Sequence, residues 1–358
     1  MNDVNQNDKF IENIFNKNRN LQFSTTYYGF KSQNLLDKPP KLTTILSIND
    51  DDLSAIAKNT LDYLEKTDTQ SEFDSFKWKV LGYITIQDIF DAKIINNDFE
   101  ANMFEQWYFY YESKYILNEA ILAGLNGFYA ASSMLVRLFY EFNLLQLYSF
   151  RNINKNQNYF VLENFLKNKR KPKLSKLIFG CVPNDDFSKS IKVMHGDILN
   201  NLSEKAAHPY HPSNSPKRLG NMTPGVSFDG IFFWYSTIHV ALTPLLWSYY
   251  VNFPMLLQPV DTLKKFGFQG PVGLFIDKSA GQIFEKCMTE KEYTEFKKYS
   301  LNCEDYKGLL DWYNSQKDFS ESEIISTWNK NEPEFFSEFD LKSNLIHFLQ
   351  SERGTVSL

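Results

Sequence analysis

The sequence predicts a mainly α-helical protein, and three observations predict it. Apolar residues recur at three- and four-residue steps over several long windows, as on one face of a helix. Two stretches, residues 120–150 and 230–260, are apolar nearly all round, which suits helices buried among other helices. The one run that reads as extended, residues 270–277, is short.

The chain has 358 residues, 43% of them hydrophobic and 16% aromatic, with 32 Phe and 20 Tyr. Such a composition is globular and can fill a large, well-buried core. The net charge is −5. Residues 261–358 hold 17 acidic and 12 basic side chains, so residues 1–260 are neutral as a set. This balance excludes a general nucleic-acid coat and leaves room for a specific anionic partner at the basic run 167–192. The cysteines, Cys181, Cys287 and Cys303, are odd in number and lack CxxC spacing, against a disulfide framework or a cysteine zinc site. With no signal-peptide core in the polar N-terminus, the setting expected is cytoplasmic.

Three regions follow: an N-terminal arm and helical extension over 1–98, a central helical bundle over 99–260, and an acidic C-terminal helical region over 261–358. Asn49-Asp50-Asp51-Asp52 is a helix-start signal. Leu53, Ile56, Ala57, Leu61 and Leu64 follow it at helical spacing. Residues 76–94 mix β-branched and aromatic side chains and fit strand or helix. In 99–122, Met103, Trp107, Tyr110, Tyr111, Lys114, Leu117 and Ile121 recur at three- and four-residue steps, as on a helix. Gly124 and Gly127 then mark a break or a close helix contact. The helix after them, read as the central one, ends near Arg151-Asn152.

A shorter basic helix is expected over 162–177, interrupted by Pro172. The next, 186–207, carries Phe187, Ile191, Met194, Ile198 and Leu202 on one stripe. Pro209 stops it, because the residue before a proline is pushed out of the helical region. Residues 208–228, rich in Pro and Gly, form a long loop. Residues 230–260 hold no Asp, Glu, Lys or Arg apart from Asp229 just before them. Their His239, Asn252, Pro244, Pro254 and Pro259 favour a buried core helix, kinked near Pro244, over a membrane span. In the acidic remainder, helices are expected over 289–299, 320–328 and 339–350.

Arg137 and Glu141 are the only charges in residues 120–150 and lie four apart on one helical face. A charge pair in so apolar a stretch is costly to desolvate. They are expected to form either an intrahelical pair or a network reaching another helix. His208, near the end of the 186–207 helix, sits where the helix dipole favours an imidazolium and can act as acid or base. Arg137, Glu141 and His208 are expected to belong to one polar cluster. Lys167, Lys169, Arg170, Lys171, Lys173 and Lys176 can meet phosphates, with Tyr159, Phe160 and Phe165 near in sequence to stack on bases. His208 and His211 lack a nearby acid or Cys, so no metal site is expected. No cofactor motif is present: Gly270-x2-Gly273 is too short for a phosphate loop.

An R-x3-E on the helix of Arg137 and Glu141, followed by a helix closing in L-S-x4-H-P at Leu202, Ser203, His208 and Pro209, resembles the HEPN-like superfamily of prokaryotic helical proteins. The resemblance covers residues 99–250. It implies a helical bundle and a setting in toxin–antitoxin, abortive-infection or other anti-phage systems, where many members cleave RNA. Cleaving members carry R-x4-6-H at one helix end, and no arginine here has it. The nearest equivalent brings Arg137 and His208 together from two helices, with Glu141 positioning Arg137. The alternative is a non-enzymatic interaction protein, with a protein partner or a second copy, in which these residues form a buried polar clamp.

Overall fold

The structure, a computed structural model, describes residues 38–46, 48–66, 70–96, 101–152, 172–203, 228–266, 275–276, 278–324 and 326. These residues are mainly helical, as the periodicity predicts, and among them there is no sheet. The helices are α1 (Leu42–Ile45), α2 (Ala55–Lys66), α3 (Gln70–Asn96), α4 (Ala101–Leu125), α5 (Tyr129–Arg151), α6 (Leu174–Gly180), α7 (Asp186–Asn201), α8 (Phe228–Asn252), α9 (Thr262–Phe266), α10 (Lys278–Lys286), α11 (Glu290–Asn302) and α12 (Glu304–Ser315). Short 3-10 turns cover Asp50–Asp52 and Pro254–Leu257.

Local chemistry accounts for the helix ends. Asn49 accepts from the Asp51 backbone at 3.2 Å, but caps only the 3-10 turn. The longer helix α2 starts behind Ser54, whose hydroxyl accepts from the Ala57 backbone at 3.1 Å. Asp185 caps α7 through the Ser188 backbone at 2.7 Å. Thr289 and Glu292 form a reciprocal capping box at α11. Residues 76–94, open between strand and helix on sequence, lie within α3.

Helices α4 and α5 form a hairpin, paired along their length. The reversal is a Schellman closure. Phe128 N–H donates to the Ala123 carbonyl at 2.8 Å and Gly127 N–H to the Gly124 carbonyl at 2.9 Å. Gly127 takes φ +82°, a value open to glycine at little steric cost. Gly124 does a second job. A Cβ there would run into the indole of buried Trp234 on α8. The two glycines thus serve the break and the close contact separately.

The central element is α8 rather than α5. It packs against α3, α4, α5, α7 and α11. Apart from Asp229 in its first turn it carries no charge, and Trp234, Ile238, Leu242, Leu245, Leu246, Tyr249 and Tyr250 are all buried. The helix ends at Asn252, and Phe253 leads into the Pro254–Leu257 turn. Pro244 sits inside it and removes the N–H that would meet the carbonyl of Val240, a residue on the exposed side. Among the described residues no helix is long and apolar enough to cross a membrane.

The main core continues past residue 261, because Ile276, Ala280, Ile283, Phe284, Cys287 and Phe296 join it. A satellite cluster of Met255, Phe275, Tyr306 and Tyr313 lies beside it. Helices α10 and α12 had no sequence expectation. A helical turn does begin after Ser320, which exchanges hydrogen bonds with Glu323. The expected helix over 339–350 and the strand-like residues 270–274 lie outside the described residues. So do 153–171 and, of the loop expected over 208–228, all but Phe228, which begins α8.

The α4–α8 contact gives a direct test. Gly124→Ala should lower unfolding free energy by about 1–3 kcal/mol in urea melts, since neither helix can yield to an added methyl without moving the indole. An unchanged midpoint would show that Trp234 does not seat on Gly124.

Candidate functional site

Arg137 Nε donates to Glu141 Oε1 at 3.3 Å, so the pair is intrahelical. It is not at the centre of the fold. The Arg137 side chain is 33% exposed and that of Glu141 12%. The stripe Met134–Arg137–Glu141–Leu144–Tyr148 crosses from solvent to core along α5. Met134 is 59% exposed, while Leu144 and Tyr148 are buried. The expectation of a fully buried pair is corrected for this reason. Apolar neighbours in sequence do not fix which turn of a helix is covered. An arginine preceding glutamate, partly in water, contributes little stability.

His208, the expected partner of Arg137, lies outside the described residues, as do His211, Lys167, Lys169, Arg170 and Lys171. Lys173 is described: it is the exposed residue that precedes α6. Lys176 is also exposed and reaches over the Tyr148 ring, 6.0 Å from its centroid. Phe179 on the same helix is 69% exposed. Arg151, exposed at the end of α5, donates to Asn252 Oδ1 at 3.1 Å. Arg151 and Lys192 both lie close enough to Cys181 to act on its thiol. Helix α6 thus carries an exposed phenyl ring and an exposed ammonium group, with two further cations near the cysteine that follows it.

The structure also builds polar sites that the sequence reading missed. The first joins α5, α7 and α8 through Tyr140, His195 and Ser248, all buried. Tyr140 Oη lies 2.6 Å from His195 Nδ1, and His195 Nε2 lies 2.7 Å from Ser248 Oγ. The Ser248 hydroxyl donates to the Pro244 carbonyl at 2.7 Å. That fixes the protons. Ser248 must accept from His195 Nε2–H, so Nδ1 is bare and accepts from Tyr140. The opposite tautomer would leave the Tyr140 hydrogen without an acceptor. Burial pushes His195 down to about 3 and Tyr140 well up, so both stay neutral. The spacing imitates nucleophile, base and orienter. The serine hydrogen, however, is already given to a carbonyl, and none of the three is open to solvent.

A second hub is Asn143. Its Oδ1 accepts from Tyr83 at 3.0 Å and Tyr249 at 2.9 Å, and its Nδ2 donates to the Phe139 carbonyl at 2.9 Å. It ties α3, α5 and α8 by hydroxyls rather than by charge. A third set lies on the α3–α8 seam and is half-buried. Ser75 Oγ is 3.3 Å from His239 Nε2, and Lys79 Nζ donates to Thr243 Oγ1 at 2.6 Å. Burial, then the nearby Lys79, holds His239 down to about 4.

A signal for His195 was present. Ser188, Ile191, His195, Ile198 and Leu202 fall at steps of three and four, and all five are buried. Reading the stripe for apolar residues alone passed over its polar members. Lys79 and His239 had no such signal, being far apart in the chain. Among the described residues, no three His, Cys, Asp or Glu side chains are grouped to hold a metal ion. Comparison of the chain with protein-family models, curated proteins and solved structures gives no match.

Tyr140→Phe should cost about 1–3 kcal/mol in unfolding free energy, because Nδ1 is left buried without a donor. Acid supplies an independent readout. The unfolded chain binds a proton at His195 near pH 6.5, whereas the folded chain does so only near 3. This histidine's contribution is therefore present in full above pH ~6.5. It is lost as pH falls toward 3. Between pH ~7 and ~5 the wild type should lose about 2 kcal/mol more than His195→Gln in paired urea melts. Arg137→Ala should change stability by less than ~1 kcal/mol in the same assay. A larger loss would place the guanidinium in a tighter network than its bond to Glu141.

Proposed function

We propose that the chain is a non-catalytic, all-α RNA-binding protein, in which the core polar groups hold helices together and α6 with its surroundings meets the nucleic acid. The observation that carries this reading is an exposed Phe179 on the short helix α6, which also carries exposed Lys176 and follows exposed Lys173, with Arg151 and Lys192 near Cys181 just past its end. An uncovered aromatic ring amid cations is what sequence-tolerant binding of single strands uses. The ring stacks on a base while the ammonium and guanidinium groups neutralise phosphates. The basic run Lys167, Lys169, Arg170 and Lys171 enters α6 directly in sequence and would extend the same surface.

Binding is favoured over cleavage by the chemistry of His195 and Arg137. A cleaving site needs an accessible base with a free lone pair beside a cation at the phosphate. His195 is buried and its hydrogen bonds are spent, and Arg137 is turned to Glu141. The HEPN-like relationship belongs to the same proposal, with a cytoplasmic anti-phage setting as its corollary. Its support is the sequence pattern, R-x3-E on α5 and L-S-x4-H-P from the end of α7. A second reading, a helical interaction protein, is favoured by a different surface. Phe128, Met134 and Leu138 are exposed along the start of α5, next to Arg137.

Fluorescence anisotropy with a labelled single-stranded RNA tests the proposal. The wild type should bind without cutting. Reversing Lys173 and Lys176 to Glu should lower the slope of log affinity against log salt by roughly 0.7 for each phosphate no longer neutralised. Phe179→Ala should cost about 1–3 kcal/mol of binding. Cleavage that disappears in a folded His208→Ala variant would replace binding by catalysis. No binding at low salt, with self-association lost in Met134→Glu, would leave the interaction reading.

A further inference from the structure

Ser75 and Lys79 stand one turn apart on α3, and His239 and Thr243 stand one turn apart on α8. The two pairs make parallel rungs on one seam, Ser75 to His239 and Lys79 to Thr243. All four residues are half-buried, reaching the surface without being free of the protein. We propose that this cluster is a binding site for a phosphate group, separate from the RNA-binding surface at α6.

The case rests on what the rungs leave unused. The Thr243 hydroxyl gives its hydrogen to the His239 carbonyl at 3.1 Å, so it can only accept from Lys79 and thereby holds the ammonium in place. Two of the three Lys79 N–H groups remain for a ligand. His239 uses Nε2 toward Ser75, and its Nδ1 makes no hydrogen bond to a described residue. Among the described residues no carboxylate is within ion-pair distance of Lys79. Glu292 acts on it only from farther off, and the Cys287 thiol, pushed up to about 12 by burial, is neutral. A half-buried ammonium without a contacting counter-charge is an arrangement proteins rarely keep. A phosphate suits these donors better than a carboxylate does, since it brings up to two negative charges and accepts from several directions. Lysine serves such groups as a point charge. Burial lowers the Lys79 pKa, and Lys79 in turn helps hold His239 low, so one anion between them relieves both groups.

Isothermal titration with inorganic phosphate, at constant ionic strength against chloride, tests the site, with acetate as a second arm. The wild type should show saturable binding, tighter for phosphate than for acetate. Lys79→Met, folded by circular dichroism, should weaken phosphate binding by at least ~10-fold, the loss expected of a charged hydrogen-bonding partner. Thr243→Val, which frees the ammonium without deleting it, should weaken binding less. Lys307→Met, at an exposed position on α12 outside both proposed sites, should leave it unchanged. Saturable binding that survives in Lys79→Met, or that Lys307→Met abolishes instead, would overturn the assignment, as would acetate outcompeting phosphate or no saturable heat in the wild type. Loss of RNA binding at α6 leaves this titration untouched, so the two proposals fail independently.

Discussion

A helix whose only charge is in its first turn can sit at the centre of a fold when its neighbours answer most of its polar atoms. The rest of this structure depends on how α8 meets that condition at Ser248, Tyr249 and Asn252, while the buried Trp234 indole N–H is left without an acceptor among the described residues. Water is excluded from its middle, so each hydroxyl, imidazole and amide there needs a partner inside the protein. Ser248 meets α7 through His195, Tyr249 meets α5 through Asn143, and Asn252 reaches back to the Cys181 carbonyl at 2.8 Å. Each partner comes from a different part of the chain, so the same bonds that satisfy α8 also fix how the other helices are arranged around it. Apolar packing supplies most of the stability of such a core. The hydrogen bonds supply direction, because a slip of one turn would strand several of them at once.

Much of the helical frame was legible in the sequence, and the reasons are local. The stripe on α7 and the helical face of α4 follow from spacing alone. Gly127 was readable because a left-handed residue at a helix end is a chemical need that glycine meets. The start of α2 was legible only in part. Asn49 and the three aspartates do cap, but the turn they cap is short, and Ser54 starts the longer helix. Helices α10 and α12 escaped because the acidic C-terminal region carries its apolar residues sparsely, and part of its packing is against α3, far away in the chain.

The candidate sites were less legible, for a physical reason. Whether a side chain is covered depends on which helix lies against it, and sequence spacing records only the helix it belongs to. Arg137 illustrates this: surrounded by apolar sequence, it still lies where α5 meets solvent. His195 is the reverse case, a polar residue on the stripe that α7 turns inward. Ser75, Lys79, His239 and Thr243 carry their meaning only as pairs, and the pairing exists only once α3 and α8 lie side by side.

The one-way order of donors from Tyr140 to Pro244 has a spectroscopic consequence. Since the Tyr140 hydrogen points at Nδ1, the imidazole keeps its own hydrogen on Nε2, sealed between α5, α7 and α8. Such a ring hydrogen can exchange with water only when those helices part. Its lifetime in deuterated solvent therefore measures how often the middle of the protein opens, at one atom and without any label.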